Sequence, residues 1–446
     1  MAHSAPLFSP FTRWLAVFAV ANCLLISAVL HLTHSGPTTL AYTRNFFRHH
    51  VECRDSWDPM RMARERVDAL GPKNLYNDIF FKQHLKFQYP PTALLFLEPL
   101  WHKGSVSDKK LDRLSWRALV ASGVITTVIF LLSLKQYNRG SWPASKNEFA
   151  ACAALGLCFC CTFYPWTRSF WLGQIQSWID LFFAAAVLAW MWEKKWVAGA
   201  LLGLVCAIKP QIGLLLPWAL VRKECRFAAG FGAVVLALVG SSVLSYGFED
   251  HVEYLRVLSY IAHHGEAYYA NQSVNGLLHR LLLDADALTW DRFSFAPFNP
   301  WIYGGTLVTS VGMVGMALFW RPAKHKAAEL TDFFIAALSF TMAAPVAWEH
   351  HYGIMLPMFA VALPATLAMC GGWRKGGLIA LAVSFVLASN LFEWTDHLAA
   401  SRWNFAQSYL FFAGLIFLAQ LYLLRAFQQS TPDGAVQLPC PAAARP

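Results

Sequence analysis

Residues 197–223 read VAGALLGLVCAIKPQIGLLLPWALVRK. The stretch Val197–Leu220 has the length and apolarity of a bilayer span, which takes roughly 20 residues, yet Lys209-Pro210 stands at its centre. A lysine at mid-bilayer is expensive, and a proline there has no N–H to give to a helix. Two half-helices meeting at Lys209-Pro210 resolve both problems and return Arg222 and Lys223 to the side from which the segment started. An ionisable residue inside an apolar segment is a functional candidate by default. Beside the ends of broken helices, an ammonium is suited to an anionic head group such as phosphate; the competing reading is a lysine that snorkels.

The same pattern extends in both directions. Apolar runs of near-span length cover Trp14–Leu32, Trp116–Leu134, Trp178–Trp192, Phe227–Ser245, Trp301–Phe319, Thr331–Trp348, Gly353–Met369, Leu378–Phe392 and Tyr409–Leu424. The chain of 446 residues is 57% hydrophobic and 14% charged, with mean hydropathy +0.40. Soluble domains carry roughly 25% charged residues, so these numbers describe an all-α, polytopic membrane protein of about 11 to 13 helices, some broken or re-entrant. Nineteen Trp and 34 Phe suit interfacial aromatic belts. The first span is too long for a signal-peptide core and reads as a retained anchor. A single membrane domain is expected over 1–427, with a disordered Pro-containing tail over 428–446.

Charge sets the expected topology. Lys135, Arg139 and Lys146, Lys194 and Lys195, Arg222, Lys223 and Arg226, Arg321, Lys324 and Lys326, Arg374 and Lys375, and Arg425 mark the cytoplasmic loops by the positive-inside rule. The loops 33–115 and 246–300 then face the exterior, together with 168–177, 349–352 and 393–408. The net charge of +10 follows from those cytoplasmic loops and calls for no nucleic-acid partner. Most of the ten cysteines lie within apolar runs, where free thiols pack as small hydrophobes, and no disulfide framework is implied.

The polar residues that could carry chemistry fall on the expected exterior side. The first loop holds Glu52, Asp55 and Asp58. Asp58-Pro59 suits an N-cap followed by Pro at N1, heading a surface helix over Met60–Leu70; a capping carboxylate at a membrane surface can also accept a proton. Tyr89-Pro90-Pro91 opens an apolar stretch, to Trp101, that is short for a span. Gly173-Gln174 sits between two spans. Asn271, Gln272, Ser273 and Arg280 bring amides suited to sugar hydroxyls and a guanidinium suited to phosphate, or else a polar helix start. His350 and His351 follow Glu349. Adjacent histidines point to different sides of a helix and make poor paired metal ligands, but either one can bind phosphate or tune a carboxylate. No Asp/Glu cluster implies a metal, and no cofactor is expected. A one-sided polar site at the membrane surface suits a lipid-anchored substrate, with membrane lipids around it, better than the mid-membrane site of a transporter.

These segments resemble glycosyltransferase family 87, integral membrane mannosyltransferases of the GT-C class. Six elements carry the resemblance in order: Asp58 with Gly71 and Tyr76; Tyr89-Pro90-Pro91; Gly173-Gln174-Ile175-Gln176; the small-residue-rich run from Gly199 to Lys209-Pro210; Asn271-Gln272-Ser273 with Arg280; and Pro345, Trp348, His350 and His351. Gln176 departs from the Asn common at its position. The resemblance implies a transferase in the inner (cell) membrane of a bacterium, with its site facing the periplasm. It would use a polyprenyl-phosphate sugar donor, typically mannose, and a lipid or glycan acceptor, in one inverting displacement. Asp58, with Asp55 as alternate, would be the base, and Tyr89, Gln174, Lys209, Asn271, Gln272, Ser273, Arg280, His350 and His351 the donor and substrate contacts. Inverting transfer needs one carboxylate for the acceptor proton and stabilisation of charge on the departing phosphate. A secondary transporter, or an O-antigen-ligase-like enzyme using a lipid-diphosphate donor, are the alternative readings.

Overall fold

The computed structural model describes residues 8–32, 38–102, 104–137, 145–282, 286–291, 293–323 and 325–430, with side chains from 25 to 32 excluded. Arg139, Lys324 and the expected tail beyond Ser430 lie outside the described residues. The fold is all-α and polytopic: among the described residues there is no strand, only two isolated bridges. Four helices are by themselves long and apolar enough to cross a membrane, namely Asp108–Tyr137, Cys225–Tyr246, Pro300–Phe319 and the run Asn404–Ser430. The pair Lys146–Cys161 and Tyr164–Trp171, bent by 51°, makes a fifth when taken as one span.

Seventeen α-helices appear among the described residues; this is a different count from the 11 to 13 membrane helices expected, since several apolar helices, such as Gln176–Met191 and Lys195–Cys206, are too short to cross alone and the loops carry helices of their own. The segment around Lys209 is the clearest case. Helix Lys195–Cys206 ends before Lys209, a 3-10 turn runs Pro210–Leu214, and a short helix Leu215–Val221 follows. The break frees backbone carbonyls that apolar surroundings cannot satisfy. Thr92 Oγ1, just after the Tyr-Pro-Pro run, donates to Ala207 O at 2.6 Å. The run Tyr89–Trp101 forms 3-10 turns over Pro91–Phe96 and Glu98–Leu100 rather than a span.

Helix Lys195–Cys206 crosses Cys225–Tyr246 at backbone distance. A Cβ on Gly199 would lie 2.1 Å from Phe227 O, and one on Gly230 would lie 2.0 Å from Trp196 O. Only small residues permit that approach, the usual basis of tight helix pairs in lipid. Trp190, Trp218, Phe227 and Phe333 then join four helices in one aromatic cluster, Trp190 and Phe333 stacking at 5.2 Å.

The two long loops, 33–115 and 246–300, pack on each other through their described residues. Helix Trp57–Leu70 of the first loop and helix Phe248–His264 of the second are joined through turn residues between them. Asp250 accepts from Leu75 N at 3.1 Å, and Tyr76 OH donates to Tyr89 O at 2.7 Å. Burial pushes the Asp250 carboxyl up to about 6 despite that N–H bond. Lys86 and Glu266 pair at 2.7 Å, the ammonium lying over Trp290 at 4.0 Å. Burial lowers the lysine pKa and raises that of the glutamate, each against the pull of its partner.

Two polar clusters occupy opposite ends of helices Lys326–Met342 and Tyr409–Ser430. One is the site described below. At the other end Asp332 bridges two buried arginines. Arg222 Nε donates to it at 2.6 Å and Arg425 Nη1 pairs with its second oxygen, while Trp218 Nε1 donates at 3.2 Å. The spare guanidinium donors cap Ala317, Leu318 and Trp320 carbonyls at the end of helix Pro300–Phe319. Helix Tyr409–Ser430 continues past the expected start of the tail, since Gln428 is buried between Thr331 Oγ1 and Tyr137 OH.

Removing Asp332 leaves two buried cations without their anion, which costs about 3–5 kcal/mol. Asp332→Ala is therefore expected to lower yield and thermal midpoint in detergent sharply. An unchanged unfolding curve would show that water reaches both guanidinium groups.

Candidate functional site

Gly173-Gln174-Ile175-Gln176 is the turn on which the site is built. It links helix Tyr164–Trp171 to helix Gln176–Met191. Residues 52–55 lie against it: Glu52 N and Cys53 N donate to Trp171 O at 2.9 and 3.3 Å, and Asp55 N donates to Leu172 O at 3.0 Å. Gly173 has φ +60°, and a Cβ there would stand 2.5 Å from Cys53 O. Glycine is required twice over, by the left-handed backbone and by the approach of the loop.

Gln174 ties three elements together. Its Oε1 accepts from Ser56 Oγ, and its Nε2 donates to Asp55 Oδ2 at 3.4 Å. Ser56 has one proton, so Tyr89 OH, 2.7 Å away, donates to Ser56 Oγ, as does Ile175 N at 3.0 Å. The Tyr-Pro-Pro run, the acidic loop and the Gly-Gln turn therefore share one chain of hydrogen bonds. Asp58 is not the N-cap the sequence suggests. The helix begins at Trp57 and the cap position is Ser56, whose hydroxyl is spent on the site. Trp57 fills an apolar gap with its ring 5.5 Å from Trp178, and this draws the helix start one residue before Asp58. Asp58, part-exposed in the first turn, pairs with Arg61, which also pairs with Asp108.

Two residues along the turn, Gln176 serves the other half of the site. Lys209 Nζ donates to Gln176 Oε1 at 2.6 Å, and Gln176 Nε2 donates to Asp180 Oδ1 at 2.8 Å. Lys209 is thereby connected to a buried carboxylate through an amide. Asp180 is not among the residues expected from sequence, although an acid inside an apolar helix, four residues after Gln176, is the same signal as Lys209. Lys209 and His351 line one small cavity with Gln176, Gln211, Thr341 and Ile354, of about 20 Å³, room for roughly one water. His351 is 8% exposed, and its Nδ1 has no partner among the described residues. The His350 ring packs edge-on to it at 4.8 Å.

The histidines sit on a 3-10 turn, Glu349–Ile354, held from both sides. Glu349 accepts from Tyr164 OH at 2.8 Å and lies 3.9 Å from Arg168 Nε. Arg168 is buried, donates to Tyr42 OH at 2.6 Å and stacks on Trp171 at 4.7 Å. Tyr164 and Arg168 are further site neighbours that the sequence marked only as part of an aromatic turn. On the other side stand Asn271–Ser273. Gln272 N and Glu349 N exchange bonds with Ala347 O and Ala270 O, at 2.7 and 3.1 Å. Asn271 Nδ2 donates to Glu266 O and Pro345 O while its Oδ1 accepts from Ala347 N; Ser273 Oγ donates to Pro345 O. Gln272 bonds Tyr269 O, Gln407 O and Phe411 N. Arg280 is buried on Ser408 Oγ and the carbonyls of Tyr269 and Asn271. These four side chains are spent on backbone and a hydroxyl: Asn271 and Ser273 hold the strap 345–351 directly, while Gln272 and Arg280 fix residues 269–271 and 407–411 beside it.

The structure thus brings Asp55, Tyr89 and Gln174 together in one group and Lys209 and His351 in another, joined by a four-residue turn. Asn271, Gln272, Ser273 and Arg280 form a supporting wall behind them.

A family model described as glycosyltransferase family 87 matches residues 87–345. The chain is 26% identical over 326 residues to a polyprenol-phosphate-mannose-dependent alpha-(1-2)-phosphatidylinositol mannoside mannosyltransferase of Mycobacterium tuberculosis, covering 70% of this chain and 68% of that protein. It is 24% identical over 365 residues to a polyprenol-phosphate-mannose-dependent alpha-(1-2)-phosphatidylinositol pentamannoside mannosyltransferase of Mycolicibacterium smegmatis, covering 79% and 80%. No solved structure matches the chain.

Gly173→Ala forces a side chain into a left-handed position and against a backbone oxygen. It is expected to cost about 1–3 kcal/mol, read as a lowered thermal midpoint in detergent. A midpoint equal to wild type would mean that residues 52–55 do not need the turn.

Proposed function

The chain belongs to glycosyltransferase family 87, and from that premise we propose that it moves a hexose, mannose first, from a polyprenyl-phosphate sugar to a lipid or glycan acceptor. The relatives' donor, named in their descriptions, supports the polyprenyl-phosphate class. The observation that carries the reading is the Gly-Gln-Ile-Gln turn. It joins a carboxylate-bearing loop, through Gln174, to an intramembrane ammonium, through Gln176.

The step is an inverting single displacement. The acceptor oxygen attacks the anomeric carbon, the bond from that carbon to the phosphate oxygen breaks, and the acceptor proton passes to a carboxylate. Phosphate is already a good leaving group, so the second carboxylate of a glycosidase is dispensable. Lys209 and the paired histidines take the negative charge that develops on the departing phosphate, in a setting where preorganised charge acts strongly. Tyr89 and Gln174 orient the base loop, and Asn271, Gln272, Ser273 and Arg280 contribute by holding the histidine strap against the donor. The Lys/Arg distribution supports a site on the exterior face of a bacterial cell membrane.

Asp58 is the proposed base: it stands part-exposed in the first turn of helix Trp57–Leu70, paired with Arg61, at the spacing to Gly71 and Tyr76 already noted. A second reading makes Asp55 the base, because Gln174 hydrogen-bonds that carboxylate.

The test is transfer by purified protein from labelled polyprenyl-phosphate mannose, glucose or arabinose to an extracted membrane lipid fraction. Asp58→Asn keeps an oxygen for Arg61 and is expected to lose roughly 100- to 10,000-fold in turnover at unchanged thermal midpoint. Near-normal turnover with Asp55→Asn inactive moves the role to Asp55, and full activity in both removes the acid-base step from this loop.

Lys209→Met is expected to insert normally and to weaken binding of the lipid donor, measured by equilibrium binding. Unaltered donor affinity would reduce Lys209 to a structural residue.

A further inference from the structure

Helix Asp108–Tyr137 has 30 residues, about 45 Å at 1.5 Å per residue, against a hydrocarbon core of about 30 Å. Roughly ten residues therefore stand outside the core, and the polar start, Asp108–Arg117, supplies them. That start carries two stripes of opposite charge. Asp108 and Asp112 face the acidic-loop segment, at 3.3 and 3.7 Å from Arg54, and Asp108 also pairs with Arg61. One residue on, about 100° around the helix, Lys109, Arg113 and Arg117 repeat every four residues, with Lys110 beside them.

All four cations are exposed, and none forms an ion pair among the described residues. The carboxylates that could neutralise them are spent on Arg54 and Arg61. Like charges four apart weaken a helix, so the stripe works against the stability of the helix that bears it. With Ser107 and Leu114 these cations border an open surface depression of about 470 Å³ along one face of the helix. The same helix face runs on into Val120 and Val124, which are exposed and apolar.

The geometry points to a binding site for the phosphate-bearing head group of an anionic membrane phospholipid, its acyl chains lying along Val120 and Val124. The cations supply charge complementarity at head-group depth, and the apolar continuation below them distinguishes a lipid from a free anion. The site is separate from Lys209 and His351, and it needs no assumption about transfer.

The test uses the full-length protein, delipidated in detergent and titrated with phosphatidylglycerol or phosphatidylcholine, with bound lipid counted by native mass spectrometry. Wild type is expected to prefer phosphatidylglycerol by tenfold or more, and to lose the preference as salt rises. Each cation removed, in Lys109→Gln, Arg113→Gln and Arg117→Gln, is expected to cost about fivefold, while Lys109→Arg keeps binding. The sites are exposed, so unfolding midpoints should stay level and any loss reads as lost contact. A triple variant that retains the preference overturns the site, and so does displacement of the lipid by inorganic phosphate at equal concentration. Because binding is read without turnover, a protein inactive in transfer but selective for phosphatidylglycerol refutes the transfer reading alone.

Discussion

Lys209 stands part-buried at the break of an apolar segment, and the 2.6 Å bond from its Nζ to Gln176 is what holds it there. Placing Lys209 there requires the helix to stop, since a continuous helix through Pro210 would lack an N–H and clash one turn back. Stopping the helix frees carbonyls, and Thr92 of the first loop takes up one of them. The loop is thereby drawn to the break, and its Tyr89 bonds Ser56, which in turn donates to Gln174 of the Gly-Gln turn. One lysine at the break of an apolar segment is thus linked to the first loop, the turn and the buried carboxyl of Asp180.

The charges are divided between two ends of the bundle. At one end Asp332 is enclosed by Arg222 and Arg425, whose remaining donors close helix ends. That cluster is saturated and stabilises only as a unit. At the other end Lys209 has one amide partner, and His351 has a bare ring nitrogen. Unsatisfied polar atoms in a buried setting are costly, and here they converge on one cavity. The saturated end is a structural clamp, and the end with open polar atoms is the candidate site.

The wall behind the histidines makes the same distinction residue by residue. Asn271, Gln272, Ser273 and Arg280 have the chemistry to bind sugar and phosphate, yet their polar atoms end mostly on main-chain groups of the strap and its neighbours. Irregular backbone that is buried has to be satisfied by protein partners. The amides provide that satisfaction, and their effect on the site is exerted through where they put Glu349, His350 and His351.

Much of this was legible beforehand. Apolar run length, Lys/Arg asymmetry and a Lys-Pro pair inside a span are local signals, because bilayer thickness and the cost of buried charge act on short stretches of chain. They were enough for an all-α membrane fold and for the helix broken at Lys209-Pro210. Gln176 stood out in sequence only as a departure from an expected Asn. Its role became visible once the folded chain put it between Lys209 and Asp180, a contact across 33 residues. Asp58 had the spacing of a cap, but burial of Trp57 moved the helix start and gave the cap position to Ser56. Sequence alone determined which residues must leave the lipid. Which of them end on backbone, which on each other and which stay open was decided by tertiary structure, because hydrogen-bond satisfaction depends on partners that the chain brings from far away.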